Sequence, residues 1–147
     1  MKFIADVMLG KLAKRMRLMG FDVLYGSTCE DNEVLRLALD QGRIILTRDT
    51  GLASRPLAHN HLLITSDLID DQLRQVLDAF SPSGEHALTR CSLCNGQLSV
   101  LDGKDARDLV PDHVAATVHE FWRCGHCGKV YWKGSHVRNM AAINTKR

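Results

Sequence analysis

The sequence predicts an α/β protein: a three-layer parallel-sheet domain over residues 1–82, followed by a small zinc-binding module over residues 88–147. Three observations carry this expectation. The first 80 residues alternate short apolar runs with longer amphipathic ones, the pattern of strands joined by crossover helices. The short runs are nearly continuous in apolar character, as expected when helices cover both faces of a sheet. Beyond them, two Cys-x-x-Cys pairs, Cys91/Cys94 and Cys124/Cys127, stand out, and paired cysteines of this kind read as a metal site.

Taken in order, Lys2–Ala5 reads as a strand. Leu9–Met19 places Leu9, Leu12, Ala13, Met16 and Met19 at helical spacing, and Gly20 stops that helix. Phe21–Leu24 is a second strand. Asn32–Gln41 is a helix with Val34, Leu35, Ala38 and Leu39 on one face, and Gly42 is its stop. Arg43–Thr47, centred on Ile44-Ile45-Leu46, is a third strand, and a short helix over Thr50–Ser54 ends before Pro56. His61–Thr65 is a fourth strand and Leu68–Phe80 a final helix. Right-handed crossovers then give a parallel sheet. The polar, turn-forming segment Ser81-Pro82-Ser83-Gly84-Glu85 marks the expected boundary.

Composition narrows the class. Hydrophobic residues make up 45% of the 147 and charged residues 24%, both ordinary for a globular protein. No apolar run approaches the ~20 residues of a membrane span. Met1–Gly10, with one lysine and then an aspartate, makes a poor secretory signal, so a cytoplasmic protein without membrane partner is expected. Four of the five cysteines fall in the two pairs, which suits a metal site in a reducing compartment better than a disulfide framework. Residues 1–87 carry 10 Lys+Arg against 12 Asp+Glu, whereas residues 88–147 carry 9 against 5. The basic excess points to a polyanion partner, although a solvated basic face gives the same count. Oligomeric state is not legible.

The aspartates fall at the strand ends. Asp6 ends the first strand, Asp49 follows the third, Asp67 follows the fourth, and Asp31 with Glu33 opens the helix after the second. In a parallel sheet these junctions share one edge, where ligands usually bind. Gathered carboxylates repel unless a cation sits among them. Mg²⁺ or Mn²⁺, held by one or two carboxylates with water and phosphate oxygens, is the matching cofactor, and such ions activate water in phosphodiester cleavage. Helix capping explains single members of the set, since aspartate is a favoured N-cap; Asp31 is the most cap-like and Asp6 the least. Lys11, Lys14 and Arg15 share a face of the first helix, and Arg48 precedes Asp49. They suit a phosphate backbone, or simply a solvated face.

In the C-terminal part, Cys91-Ser-Leu-Cys94-Asn-Gly and Cys124-Gly-His-Cys127-Gly are separated by 29 residues. Each pair lets two thiolates of a tight turn reach one ion, and together they complete a tetrahedral four-cysteine set for structural Zn²⁺. A core this small needs such a staple. His126 and His136 read as surface residues, and Cys29 as a buried small hydrophobe. Phe121-Trp122-Arg123 and Lys129-Val130-Tyr131-Trp132-Lys133 read as a hairpin with Cys124–Cys127 near its tip. Its interleaved aromatic and basic residues fit RNA bases and phosphates, or the tryptophans form the module's core.

The opening FIADVMLGKLAKRMRLMGFDVLY, the later GRIILTRDTGLA and ITSD, and the closing CSLCNG…EFWRCGHCGKVYWKGSH together resemble the Mut-seven C-terminal RNase-domain family. Its members are PIN-like nucleases with a fused zinc ribbon. The resemblance implies a PIN-like α/β fold, metal-dependent ribonuclease activity and an acidic site at Asp6, Asp31, Asp49 and Asp67, with Glu33 an alternative to Asp31. It also implies zinc at Cys91, Cys94, Cys124 and Cys127. The competing expectation is a non-catalytic RNA- or ribosome-binding protein whose aspartates are only caps. Phosphotransfer is disfavoured, because the first strand is followed by Asp6-Val7-Met8 rather than Asp-x-Asp and no glycine-rich phosphate loop appears.

Overall fold

Four apolar runs pair side by side in the computed structural model, which describes residues 1–26, 28–81 and 87–133. They are β1 (Lys2–Ala5), β2 (Asp22–Tyr25), β3 (Ile44–Thr47) and β4 (His61–Leu63), all parallel and ordered β2-β1-β3-β4. Every residue of β3 is buried, as its unbroken Ile-Ile-Leu-Thr run requires. Helices α1 (Gly10–Leu18) and α4 (Ile69–Phe80) cover one face, closing a core around Phe3, Leu12, Met16, Leu73 and Val76. Helices α2 (Asp31–Gln41) and α3 (Thr50–Ala53) cover the other, over Ile4, Val34, Leu35, Ile45 and Leu52. The three layers are those expected.

The element ends differ in instructive ways. Residues Val7–Leu9 form a 3-10 turn before α1, because the Asp6 side chain accepts from the Met8 N–H and tightens the chain there. The fourth strand is shorter than expected. It ends at Leu63, and although Ile64 N–H still donates to Thr47 O at 2.7 Å, Thr65 N–H is taken by the Gln75 side chain at 3.1 Å. The chain passes from β1 to β2 on one side and then returns to place β3 on the other. Strand order therefore reverses between β1 and β3, and their carboxyl ends flank the crevice where such sheets bind ligands.

A second sheet is antiparallel, ordered β5 (Leu98–Leu101), β6 (Phe121–Cys124), β7 (Val130–Trp132). The expected hairpin is β6–β7. Strand β5 was not anticipated, since Leu-Ser-Val-Leu carries little pattern and Val100 is 82% exposed. Between β5 and β6 lie two short helices, α5 (Gly103–Ala106) and α6 (Asp112–Thr117). They cover one sheet face, where Ala106 and Val114 meet Phe121, Leu101 and Trp132. The opposite face joins Cys124 and Tyr131 to Leu88, Cys91 and Leu18 of α1.

Polar contacts complete the junction between the two sheets. Buried Arg17 of α1 donates through Nε to Val23 O at 2.8 Å and through Nη1 to Ser92 O and Leu93 O, both at 3.1 Å. Asn95 Oδ1 accepts the Val23 N–H at 3.1 Å, and Asn95 Nδ2 donates to Asp22 at 2.8 Å. Asp22 also pairs with Arg43 at 2.8 Å and Arg90 at 3.7 Å. All of these contacts meet the amino-terminal halves of the parallel strands. The crevice is at their other ends. The boundary expected at Ser81–Glu85 lies, after Ser81, outside the described residues, as does His136.

Candidate functional site

At the crevice, Thr47 ties the Asp6 carboxylate to the Asp49 backbone. Its side chain is fully buried at the end of β3; its Oγ1 donates to Asp6 Oδ2 and accepts the Asp49 N–H at 2.9 Å. Asp6, itself 6% exposed, also accepts from Arg48 N–H at 3.3 Å. Asp6 and Asp49 are thus tied to one hydroxyl across the switch point. Arg48 extends the chain of contacts, its guanidinium forming an ion pair with Asp67. Asp67 stands in the loop before α4 with its side chain 82% exposed.

Capping accounts for part of this arrangement. Asp49 Oδ1 accepts from Gly51 N–H at 2.7 Å and Leu52 N–H at 3.4 Å, as the N-cap of α3. Asp6, expected to be the least cap-like, caps the 3-10 turn through Oδ1 at 3.0 Å. Asp31, expected to be the most cap-like, is not a cap: Glu30 holds that position without a side-chain bond, and Asp31 and Glu33 occupy the first turn of α2. In that turn Glu33 lies beside Cys29, and Asn32 accepts from Arg55 at 2.6 Å. Cys29 is half-buried, and burial followed by the Glu33 charge pushes its thiol up.

The basic face of α1 is mixed. Lys11 and Lys14 are exposed. Arg15 is stapled to Asp70 of α4 at 3.1 Å with only 14% of its side chain exposed. Arg17, two residues further on, is the buried link to the second sheet. Nothing in the helical period distinguishes it from a surface arginine.

The four cysteines form a tighter centre. Among the described residues, Cys91, Cys94, Cys124 and Cys127 are the group positioned to hold a metal, with all four sulfurs within 4.8 Å of one another. Cys91–Cys127 and Cys94–Cys124 are separated by 3.6 and 3.4 Å. A tetrahedral zinc with ~2.3 Å bonds sets sulfurs roughly 3.8 Å apart, so the set fits that ion. Backbone N–H groups of His126 and Cys127 point at Cys124 Sγ, each at 3.4 Å. Gly96 leaves room: a Cβ there would lie 2.9 Å from Cys124 Sγ and 3.2 Å from Cys94 Sγ.

Ionisation of the thiols is uneven. For Cys91, burial raises the pKa, but hydrogen bonds from the Tyr131 hydroxyl and from backbone N–H groups outweigh it and bring the value to about 6. Burial and the neighbouring cysteines push Cys94 up to about 12. Cys124 is lowered, backbone N–H groups outweighing burial. A cation among the sulfurs makes all four favourable as thiolates. The hairpin aromatics are engaged nearby. Trp132 meets Phe121 edge-on at 6.5 Å, and Lys133 lies 5.8 Å over half-buried Trp122.

Fold and site together define a mixed α/β protein, with the Asp6 carboxylate and the Asp49 backbone joined through Thr47 at the switch point of a parallel sheet and a cysteine centre positioned to bind a metal. Family comparison places it: the Mut7-C RNAse domain model matches residues 1–144, and the chain belongs to that family. Comparisons with curated proteins and with solved structures find no match. Among the described residues no helix is long and apolar enough to cross a membrane.

Proposed function

We propose that the protein is a cytoplasmic, divalent-metal-dependent ribonuclease with a PIN-like domain over residues 1–82 and a zinc ribbon over residues 88–147. The observation that carries the reading is the Asp6–Thr47–Asp49 arrangement at the switch point, in a chain of an RNase-domain family. Asp6, Asp49 and Asp67 would hold the ion, Asp67 being paired with Arg48 here. The cap uses one oxygen of Asp49, Oδ1, which would leave the second for the cation. Mg²⁺ or Mn²⁺ bound there supplies an activated water and neutralises charge on the cleaved phosphodiester.

The protein's own groups do the remaining work. Thr47 fixes the orientation of Asp6, and Asp31 or Glu33 completes the acidic site or orients water from the start of α2. Lys11, Lys14, Arg15 and Arg48 position the phosphate backbone, Arg48 by exchanging its carboxylate for phosphate. The closed four-cysteine site holds Zn²⁺ as a structural ion, and the hairpin beside it contributes RNA contacts.

Asp6→Asn keeps the shape of the buried side chain while removing its charge. Cleavage of a mixed RNA pool in Mn²⁺ is expected to fall at least 100-fold, in line with the loss of a preorganised electrostatic group; unchanged cleavage overturns the assignment. A second reading, RNA or ribosome binding without catalysis, is favoured by the capping bonds of Asp6 and Asp49. It predicts RNA binding with no cleavage by the unaltered protein and no Mn²⁺ at the rim.

A further inference from the structure

We propose that Tyr25, Val7 and Met8 form a shelf for one unpaired base of a single-stranded RNA whose phosphate lies at the acidic rim. The proposal rests on the ribonuclease reading and adds a specificity-determining site to it.

Tyr25 closes β2 and stands in register with Ala5, the residue before Asp6. Paired strands lie about 4.8 Å apart, so the ring begins one strand away from the rim's most buried carboxylate. Two contacts pin it. The Tyr25 hydroxyl donates to Val7 O at 3.1 Å. Gly10 lies against the hydroxyl end of the ring, where a Cβ would come within 2.8 Å of the hydroxyl oxygen and 2.9 Å of Cζ. The ring therefore crosses the turn that Asp6 caps. Part of it packs on the core, and it is half-buried, leaving an edge open to solvent.

That same turn presents Val7 and Met8, 45% and 63% exposed. Single exposed apolar side chains need no explanation; two on the turn that carries the Tyr25 hydroxyl's acceptor, beside a charged site, suit an interaction surface. Exposed Lys11 and Lys14 follow on α1. An aromatic platform with adjacent cations is how single strands are held, because every base offers a π face while its phosphates need positive charge. Met8 adds a polarisable, adaptable wall. These cations favour a nucleotide over an uncharged apolar ligand. The aromatics of the C-terminal hairpin are already engaged by Phe121 and Lys133.

The test measures binding, using fluorescein-labelled single-stranded RNA and the zinc-loaded full chain, all carrying Asp6→Asn to suppress cleavage. Tyr25→Ala is expected to raise Kd about tenfold, within the range of one lost base stack, and Tyr25→Phe to stay near the parent. Scanning one abasic nucleotide along the RNA should find a position that weakens the parent equally and has no further effect on Tyr25→Ala. Met8→Ser, at an exposed position that does not threaten folding, should weaken binding in the same direction. Duplex RNA should bind parent and variants alike. Additive abasic and Tyr25→Ala effects overturn the shelf, as do an unchanged Kd for Met8→Ser and full binding by Tyr25→Leu, which keeps apolar volume without a π face. Failure of the ribonuclease reading looks different: the unaltered protein binds RNA but leaves it intact in Mn²⁺.

Discussion

Asp22 receives three partners at the amino end of β2, and its titration follows from them. Burial pushes its carboxyl up from the ordinary value of 3.8, but hydrogen bonds from Arg43 and Asn95 and the charges of Arg43 and Arg90 outweigh this and hold it below. A depressed carboxylate contributes stability that is complete above its unfolded pKa and is lost as pH falls through the folded one. Asp22→Asn should therefore be destabilised relative to the parent at pH 6, with the gap shrinking as pH drops below 3.8. Urea melts across pH 2–6 check the sign, and a gap that widens in acid contradicts it. Residues of this kind were not legible. Cys91 and Cys94 announce themselves because their chemistry depends on local spacing, and Asp6 because it ends an apolar strand. Asp22, Asn95 and Thr47 take their roles from partners distant in the chain, such as Asp22 and Asn95, which spacing cannot reveal.

At the scale of elements, α1 divides its labour by face. Leu12 and Met16 fill the sheet's core, Lys11 and Lys14 are exposed, and Arg17 crosses to the cysteine-bearing turn. Truncating Arg17 strands Val23 O, Ser92 O and Leu93 O, buried or partly so, without their charged donor. Arg17→Ala is expected to cost about 3 kcal/mol, the upper range for hydrogen bonds to a charged group, read from urea unfolding of the zinc-loaded protein. A loss below about 0.5 kcal/mol, the usual size of a surface substitution, places the arginine outside the junction. The order of strands and helices was readable because near-continuous apolar runs alternate with amphipathic ones. Element ends were less so: β4 stops early because Gln75, in α4, captures Thr65 N–H, a contact between elements. Strand β5 exists because β6 offers it a partner.

Across the whole molecule, the acidic crevice and the cysteine centre address opposite ends of the same parallel strands. Substitutions at the crevice should leave the cysteine junction intact, whereas metal loss at the cysteines should loosen the sheet from its other end. The strand most affected is β2, which is an outer strand of its sheet. Its Val23 has both backbone groups sealed by side chains, the N–H by Asn95 and the carbonyl by Arg17. Unsealed outer strands are templates for pairing with other chains. Chelation should therefore raise light scattering in a concentration-dependent way, and returning Zn²⁺ before association should suppress it; chelated protein that stays clear at high concentration contradicts this. A metal at the cysteines, by keeping Asn95 in place over Val23, would act as a guard against self-association as well as a staple for its own small core.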